Sequence, residues 1–428
     1  MRSLTGSITF LIILLILDFY IFQAIRTITA SFLPKWRTAI HIGYWLVSVA
    51  IVLFFLFMPY IRSAETPAFV RNQLFALLIG VLLAKIVSLP FILVDDIRRL
   101  LLWLAVKFTR PESKAVGDGI AISRSIFLSW LGVGIGSLLF GTLWYGFRNK
   151  YRYKTRTKAL SFSTLPSAFH GFKIVQISDI HSGSFADKEA VAHGVKMIND
   201  LDPDIILFTG DLVNDRAEEI VPYKEIFAQL KSKHGVYSTL GNHDYGDYFP
   251  WPDRSEGIQN GQHRMTPLQQ KNLDTLKQHQ ADMGWKMLND DSAIIQQHGE
   301  SIAIIGVQNI SGKSNFKSYG NLSKAYAPAA EHNFKILMSH DPSHWDAEVK
   351  KQYPDINLTL SGHTHGMQFG VEIPGLKWSP VQWVYKQWAG LYGQTDQYLY
   401  VNRGYGFIGY PGRVGIMPEI TLITLQKA

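Results

Sequence analysis

Residues 172–181 read FKIVQISDIH: an apolar run of strand length, 172–178, followed at once by Asp179 and His181. The same grammar recurs downstream. Residues 204–209 (DIILFT) run into Gly210-Asp211, and 235–240 (GVYSTL) run into Gly241-Asn242-His243-Asp244. A helical pattern at 187–200 and another at about 222–233 separate these runs. Strand, helix, strand in alternation predicts parallel β-α units. The later half is richer in strands, at 292–297, 301–307, 334–339, 356–361, 398–402 and 420–425. Two of them lead into histidine clusters, Ser339-His340-Asp341 and Gly362-His363-Thr364-His365.

Open α/β sheets bind ligands beyond the carboxyl ends of their strands. Five strand ends therefore bring Asp179, His181, Asp211, Asn242, His340, His363 and His365 to one rim. Imidazole nitrogens and carboxylate oxygens suit borderline divalent metals. In an extended chain, residues two apart point to the same side, so His363 and His365 reach adjacent ions, as do Asp179 and His181. Seven ligands exceed one tetrahedral site but suit two ions sharing a carboxylate, the arrangement of two-metal phosphoester hydrolysis. Any one of these clusters is commonplace alone; five in order, each after a strand, are not.

The rest of the chain is different in kind. Residues 1–150 hold 15 Lys and Arg against 6 Asp and Glu, whereas residues 151–428 hold 27 against 28. Apolar runs cover 8–25, 39–61, 73–94 and 125–147. Each is about 20 residues, enough to span the hydrocarbon core of a bilayer. Four of them cannot be a cleaved signal peptide. Residues 98–109 read as an interfacial stretch or an extension of the third helix. Asp18 and Lys85 fall inside apolar runs and are expected to pair with each other or with backbone, which argues against a transport path. Flanking basic residues tie at nine on each side of the membrane. The dense basic run 148–158 favours a cytoplasmic C-terminal part. The expected organisation is a four-helix transmembrane region at 1–150, a basic linker at 151–170 and a catalytic domain at 171–428. Basic charge that flanks apolar segments, and covers no folded face, argues against nucleic-acid binding. With no cysteine in the chain, disulfides, thiol nucleophiles and iron–sulfur clusters are excluded.

The order Asp179-x-His181, Gly210-Asp211, Gly241-Asn242-His243-Asp244, His340, Gly362-His363-Thr364-His365 resembles the calcineurin-like metallophosphoesterase superfamily. The closing segment, Leu399 to Gly404 and then Pro418 to Leu422, resembles its bacterial membrane-associated branch of phosphodiesterases and UDP-2,3-diacylglucosamine hydrolases. The four-span N-terminus is similar to transmembrane proteins carrying such a domain. The resemblance implies a four-layer α/β/β/α sandwich. It implies one ion on Asp179, His181, Asp211 and His365, with Asp211 bridging to a second ion on Asn242, His340 and His363. His243 would contact the scissile phosphate and help the leaving oxygen depart, with Asp244 orienting it. Met367 departs from the pattern, since that branch often has glycine there.

A water shared by two cations loses its proton near neutral pH and can attack phosphorus in line with the leaving oxygen. The expected protein is a multi-pass, membrane-anchored metal-dependent phosphodiesterase or pyrophosphohydrolase using such a hydroxide. Manganese is the expected metal, with iron or zinc as alternatives. The expected substrate is a lipid-linked or headgroup phosphoester. A hydrolase of soluble or cyclic nucleotides is the alternative, and a non-enzymatic sensor or scaffold a more distant one that predicts lost ligands. Two segments are expected to set specificity. Residues 246–285 carry Tyr248, Phe249 and Trp251 and a helix at 266–283; residues 376–392 carry Trp378, Trp383, Tyr385, Trp388 and Tyr392 with Lys377 and Lys386, suiting a membrane interface or a packed lid.

Overall fold

The computed structural model describes residues 4–63, 68–109, 124–253, 258–259, 262–314, 316–394 and 396–428. Of the charges weighed for orientation, Arg2, Arg110 and Lys114 lie outside the described residues, as do the side chains of Arg62, Arg71 and Arg124. The chain divides into two compact units, Met1–Tyr145 and Gly146–Ala428.

The first unit contains the helices Leu4–Thr29, Pro34–Ser63, Ala68–Thr109 and Arg124–Gly146. Each holds a stretch long and apolar enough to cross a membrane, and apolar side chains such as Ile16, Leu46 and Leu138 face outward, as lipid-facing residues do. Residues 98–109 extend the third helix. Within the bundle, Lys85 Nζ lies 2.5 Å from Asp18 Oδ1 and 2.8 Å from Ser48 Oγ, so the two ionisable groups satisfy one another.

The second unit is built on two six-stranded sheets. In the first, Lys173–Ile177, Ile205–Phe208, Val236–Ser238 and Lys286–Met287 run parallel in that order; Glu419–Lys427 pairs antiparallel with Lys173–Ile177 and parallel with the edge strand Lys154–Phe162. In the second, Glu300–Gly306, Lys335–Met338, Leu358–Ser361 and Gln397–Val401 are parallel, flanked by antiparallel Asp291–Gln297 and Gly390–Gln394. The strands are apolar on both faces because both are covered. Ile174, Ile205 and Leu207 face Ile304, Ile336 and Leu360 of the other sheet. Val175, Ile177, Ile206 and Phe208 face outward onto Val191, Val195 and Ile198 of the helix Lys188–Asn199. Ile305 and Leu337 on the far side meet Leu322, Ala325, Trp345 and Val349. This is the expected α/β/β/α layering. The helix Lys188–Asn199 begins where the Asp187 carboxylate accepts the Ala190 N–H at 2.9 Å. Thr266 caps Pro267–Asp282 in the same way.

Two local expectations need correction. Residues 151–170 are not simply a linker: Lys154–Phe162 forms the edge strand, whose basic, mostly exposed residues disguise it and guard the free edge. The helix expected at 222–233 shrinks to a 3₁₀ segment, Ala217–Tyr223, and one α-turn, Lys224–Phe227. Phe227 is buried there, and the chain must then turn back toward the strand Val236–Ser238.

Candidate metal centre

The parallel strands of each sheet point their carboxyl ends at one edge, where the motif residues gather in two groups. Asp179, His181 and His365 offer one ligand atom each within 4.8 Å of one another, and so do Asp211, His340 and His363. Asp211 faces both groups, its Oδ2 lying 3.5 Å from His181 Nε2 and 3.1 Å from His340 Nε2. Asn242 Oδ1 is 2.8 Å from His363 Nδ1, and its amide nitrogen donates to Tyr248 Oη at 2.9 Å, so its oxygen faces the second group. All seven residues assigned as ligands from the sequence therefore converge.

The turns that do this are strained. Asp179, His181, Asp211, His363 and His365 all have positive φ, between 49° and 69°. For a residue with a Cβ this conformation costs about 1–3 kcal/mol, and such strain concentrates at functional sites. Two motif glycines make room. A Cβ on Gly241 would collide with Asp211 Oδ1, and one on Gly362 with Asp179 Oδ2. Met367 also has positive φ, 55°, a conformation in which glycine is unstrained.

Hydrogen bonds fix the rings. His340 Nδ1 meets the Thr209 carbonyl at 2.8 Å, which turns Nε2 toward Asp211. The His363 N–H donates to the Asp179 carboxylate at 2.9 Å, tying the two sheets together. Arg413, fully buried, donates to the carbonyls of Arg403, Gly404, Gly406 and His365 and thereby braces the loop behind His365. Its Nη2 also lies 3.3 Å from His365 Nδ1; sequence reasoning passed over Arg413, because an arginine held mostly by backbone carbonyls has no motif.

The electrostatics suit cations. Burial pulls His181 down to about 3, His363 down to about 4 and His365 well below the imidazole range. These rings are neutral, as ligation requires. Burial opposes charge on Asp211, but His340 and His243 outweigh it and hold that carboxyl well below its ordinary value. Burial alone would depress His340; the Asp211 and Asp179 carboxylates instead raise it to about 10, which marks a place between them that favours positive charge, and a cation bound there would displace the Nε2 proton. Both ring nitrogens of His181 and Nε2 of His365 are buried without a hydrogen-bond partner. Nitrogens left bare inside a protein are costly, and bound cations would satisfy those that face the site. The donor set fits two divalent ions.

His243 and Asp244 behave differently from expectation. The Asp244 carboxylate does not touch His243. It accepts the backbone N–H groups of Asp211, Leu212 and Gly241 at 2.8 Å each, and of Val213 at 3.4 Å. Its role is to hold the Asp211 loop, since several inward-pointing N–H groups are matched only by a carboxylate's several acceptor sites. Burial, with the Asp211 charge, pushes it up to about 7. His243 is instead oriented by Asn214, whose carbonyl faces Nδ1 at 2.7 Å, while its ring packs on Tyr248 and edge-on to His181. Tyr385 reaches the centre from the aromatic segment, its hydroxyl 2.8 Å from His363 Nε2.

A fold with two parallel-stranded layers and paired Asp/His groups at the strand ends defines a metallophosphoesterase. Residues 172–367 match the family model described as Calcineurin-like phosphoesterase, and residues 1–150 match that described as Probable Calcineurin-like phosphoesterase, transmembrane domain. Residues 172–367 are thus a calcineurin-like phosphoesterase domain. It is 28% identical over 273 residues to "Transmembrane protein with metallophosphoesterase domain" of Danio rerio, a match covering 62% of this chain and 55% of that protein. It is 29% identical over 320 residues to "Uncharacterized metallophosphoesterase YkuE" of Bacillus subtilis, covering 72% and 98%. It is 24% identical over 258 residues to "Phosphodiesterase YaeI" of Escherichia coli, covering 59% and 82%. The chain spans about half the length of the first of these relatives.

Proposed function

We propose that this membrane protein hydrolyses phosphodiester or pyrophosphate bonds with two divalent ions, manganese foremost, on a lipid-linked or headgroup phosphoester. The observation that carries the reading is the position of Asp211, whose Oδ2 faces His181 on one side and His340 on the other. Asp179, His181 and His365 would hold one ion, Asn242, His340 and His363 the other, with Asp211 between them. The ions would supply a water-derived nucleophile at neutral pH and neutralise charge on the phosphoryl oxygens.

The chain's own residues do the rest. Asp244 keeps Asp211 in place. Tyr248 turns the Asn242 amide so that its oxygen faces the centre. His243, fixed through Nδ1, presents Nε2 to the leaving oxygen and can donate a proton there. Four apolar helices make an amphiphilic substrate reasonable, because they keep the catalytic unit beside lipid. Exposed Arg148, Arg152, Lys154 and Lys158 after the last helix support a cytoplasmic placement.

The test is an activity screen of the purified full chain with manganese against a chromogenic diester, a nucleotide, and a lipid pyrophosphate in vesicles. Metal-dependent turnover highest on the lipid substrate is expected. Preference for the nucleotide would overturn the substrate assignment, and no metal-dependent turnover on any of the three would overturn the hydrolytic reading.

A further inference from the structure

The hairpin formed by Val371–Ile373 and Leu376–Trp378 leaves the metal-ligand loop directly, three residues after Gln368. Its register pairs Val371 with Trp378 and Ile373 with Leu376, and between them Glu372 with Lys377. Directly opposed residues share a face of the ribbon, and alternate pairs face opposite ways. On the charged face, half-buried Glu372 accepts from Arg156 and Arg403 at 2.6 Å each, and Lys377, itself exposed, is tied by its ammonium to the Ala389 carbonyl at 2.5 Å. The apolar pair at the tip is open to solvent, with Ile373 58% and Leu376 51% exposed, and Val371 of the other pair is exposed beside half-buried Trp378. Trp383, 74% exposed, packs edge-on to Trp378, and Val384 and Met367 are exposed as well. Because the charged side chains are tied down, the ribbon cannot roll over to hide its apolar face. An ordered, outward apolar face of this kind marks a surface that meets another phase or partner.

We propose that this face docks onto the lipid surface of the membrane that the chain's own helices cross. Continuity selects lipid as the occupant. The fourth apolar helix ends at Gly146, and the Gly146 carbonyl accepts from the Arg413 N–H at 3.0 Å. Asn149 donates to the Arg413 carbonyl at 3.1 Å. The next residue, Val414, bonds Gln368 and Gly370 at 2.8 and 2.9 Å, at the base of the hairpin. Gly146 and Asn149, the first stretch of the second unit, are thus hydrogen-bonded to the root of the apolar hairpin within that unit. Tryptophan with neighbouring exposed cations, here Trp383 with Lys386, is the composition of a lipid interface. The docked hairpin holds His363 and His365, on the loop that precedes it, next to the headgroup layer. The inference rests on the helices crossing a membrane and is independent of whether the metal centre hydrolyses lipid.

The chain contains no cysteine, so single labels are clean. Leu376→Cys, and separately Trp383→Cys, in the full chain would carry an environment-sensitive fluorophore. Each would be reconstituted in vesicles of phosphatidylcholine and phosphatidylglycerol in equal amounts, with or without lipids bearing a doxyl quencher just below the headgroup. Val221→Cys, an exposed apolar position elsewhere in the same unit, is the control. The expected result is a blue-shifted emission at 376 and 383 that doxyl lipid quenches, with the 221 label unshifted and unquenched. Water-like emission at both hairpin positions would overturn the proposal. So would a blue shift without doxyl quenching, which would mean that protein, such as a second copy, covers the face. Equal quenching at 221 would overturn it too. The readout needs no turnover, so an inactive enzyme leaves the outcome interpretable.

Discussion

His243 Nδ1 lies 2.7 Å from the carbonyl oxygen of Asn214. A carbonyl only accepts, so Nδ1 is the protonated nitrogen here and Nε2 is the one left to face the substrate. His243→Ala is expected to slow hydrolysis of an alkyl phosphodiester about 10²–10⁴-fold, the range of a general-acid term. The loss should shrink for a nitrophenyl diester, whose leaving group departs unaided. Both metals should remain bound. Kinetics on the two substrates, with metal content measured on the same preparation, check this: equal losses, or a missing ion, would remove the acid role.

Asp211 is the residue between the two ligand groups. Asp211→Ala should lower the content of both ions, whereas His365→Ala should lower chiefly one. Elemental analysis after dialysis against dilute manganese distinguishes them. Full occupancy in the Asp211 variant would refute the bridging position.

Asp244 touches no ligand atom, yet its loss should be felt at the metal. Asp244→Ala leaves buried N–H groups of Asp211, Leu212 and Gly241 without an acceptor. At about 1–3 kcal/mol for each unsatisfied group the loop should lose its shape. A lower unfolding temperature together with weaker metal retention is expected, with Asp244→Asn intermediate because its amide oxygen still accepts. Melting curves with and without manganese test it; an unchanged melting temperature for the alanine variant would contradict the bracing role.

Asp215 supplies a pH dependence away from the ligands. Burial, and then the neighbouring Glu219 charge, push its carboxyl up to about 7. The folded value exceeds the unfolded one, about 3.9, so the fold favours the protonated form. That contribution is fully present below about pH 4 and is lost as pH rises through about 7. Asp215→Asn should therefore stabilise the protein at pH 8, by an amount on the order of 2 kcal/mol, and change little at pH 4. The asparagine oxygen can still accept the Tyr248 N–H, now 3.2 Å from Asp215 Oδ1. Denaturant midpoints at the two pH values decide the matter: equal effects would mean that Asp215 is not the titrating group.

The residues that converge in the two candidate ligand groups were legible in the sequence because each follows an apolar strand, and strand ends are where α/β sheets present side chains. The residues that support the ligands were not. Asp244 sits beside His243 in sequence, which suggested a pair, whereas the turn sends its carboxylate to backbone N–H groups that no side-chain pattern encodes. Asn214 acts through its carbonyl, so its identity carries no signal. The positive φ of His181 and His365 is likewise invisible, because only a small fraction of residues other than glycine adopt it, histidines included. Lys154–Phe162 escaped notice as a strand because only Leu160 and Phe162 of its nine residues are buried. Its pairing partner lies far along the chain, beyond the reach of local pattern.

That partnership bears on how the protein is made. Glu419–Lys427 inserts between Lys154–Phe162 and Lys173–Ile177, and Ser161 meets Gln426 across a sequence separation of 265 residues. Until residue 427 leaves the ribosome, the first sheet lacks an interior strand, and the inner edge of Lys173–Ile177 stands open. By then the four apolar helices have long been available for insertion. So distant a pairing predicts slow folding and, meanwhile, an unfinished sheet edge exposed to aggregation beside the translocation machinery. Nascent chains stalled before residue 419 should therefore be integrated in the membrane yet remain sensitive to protease throughout residues 150–418.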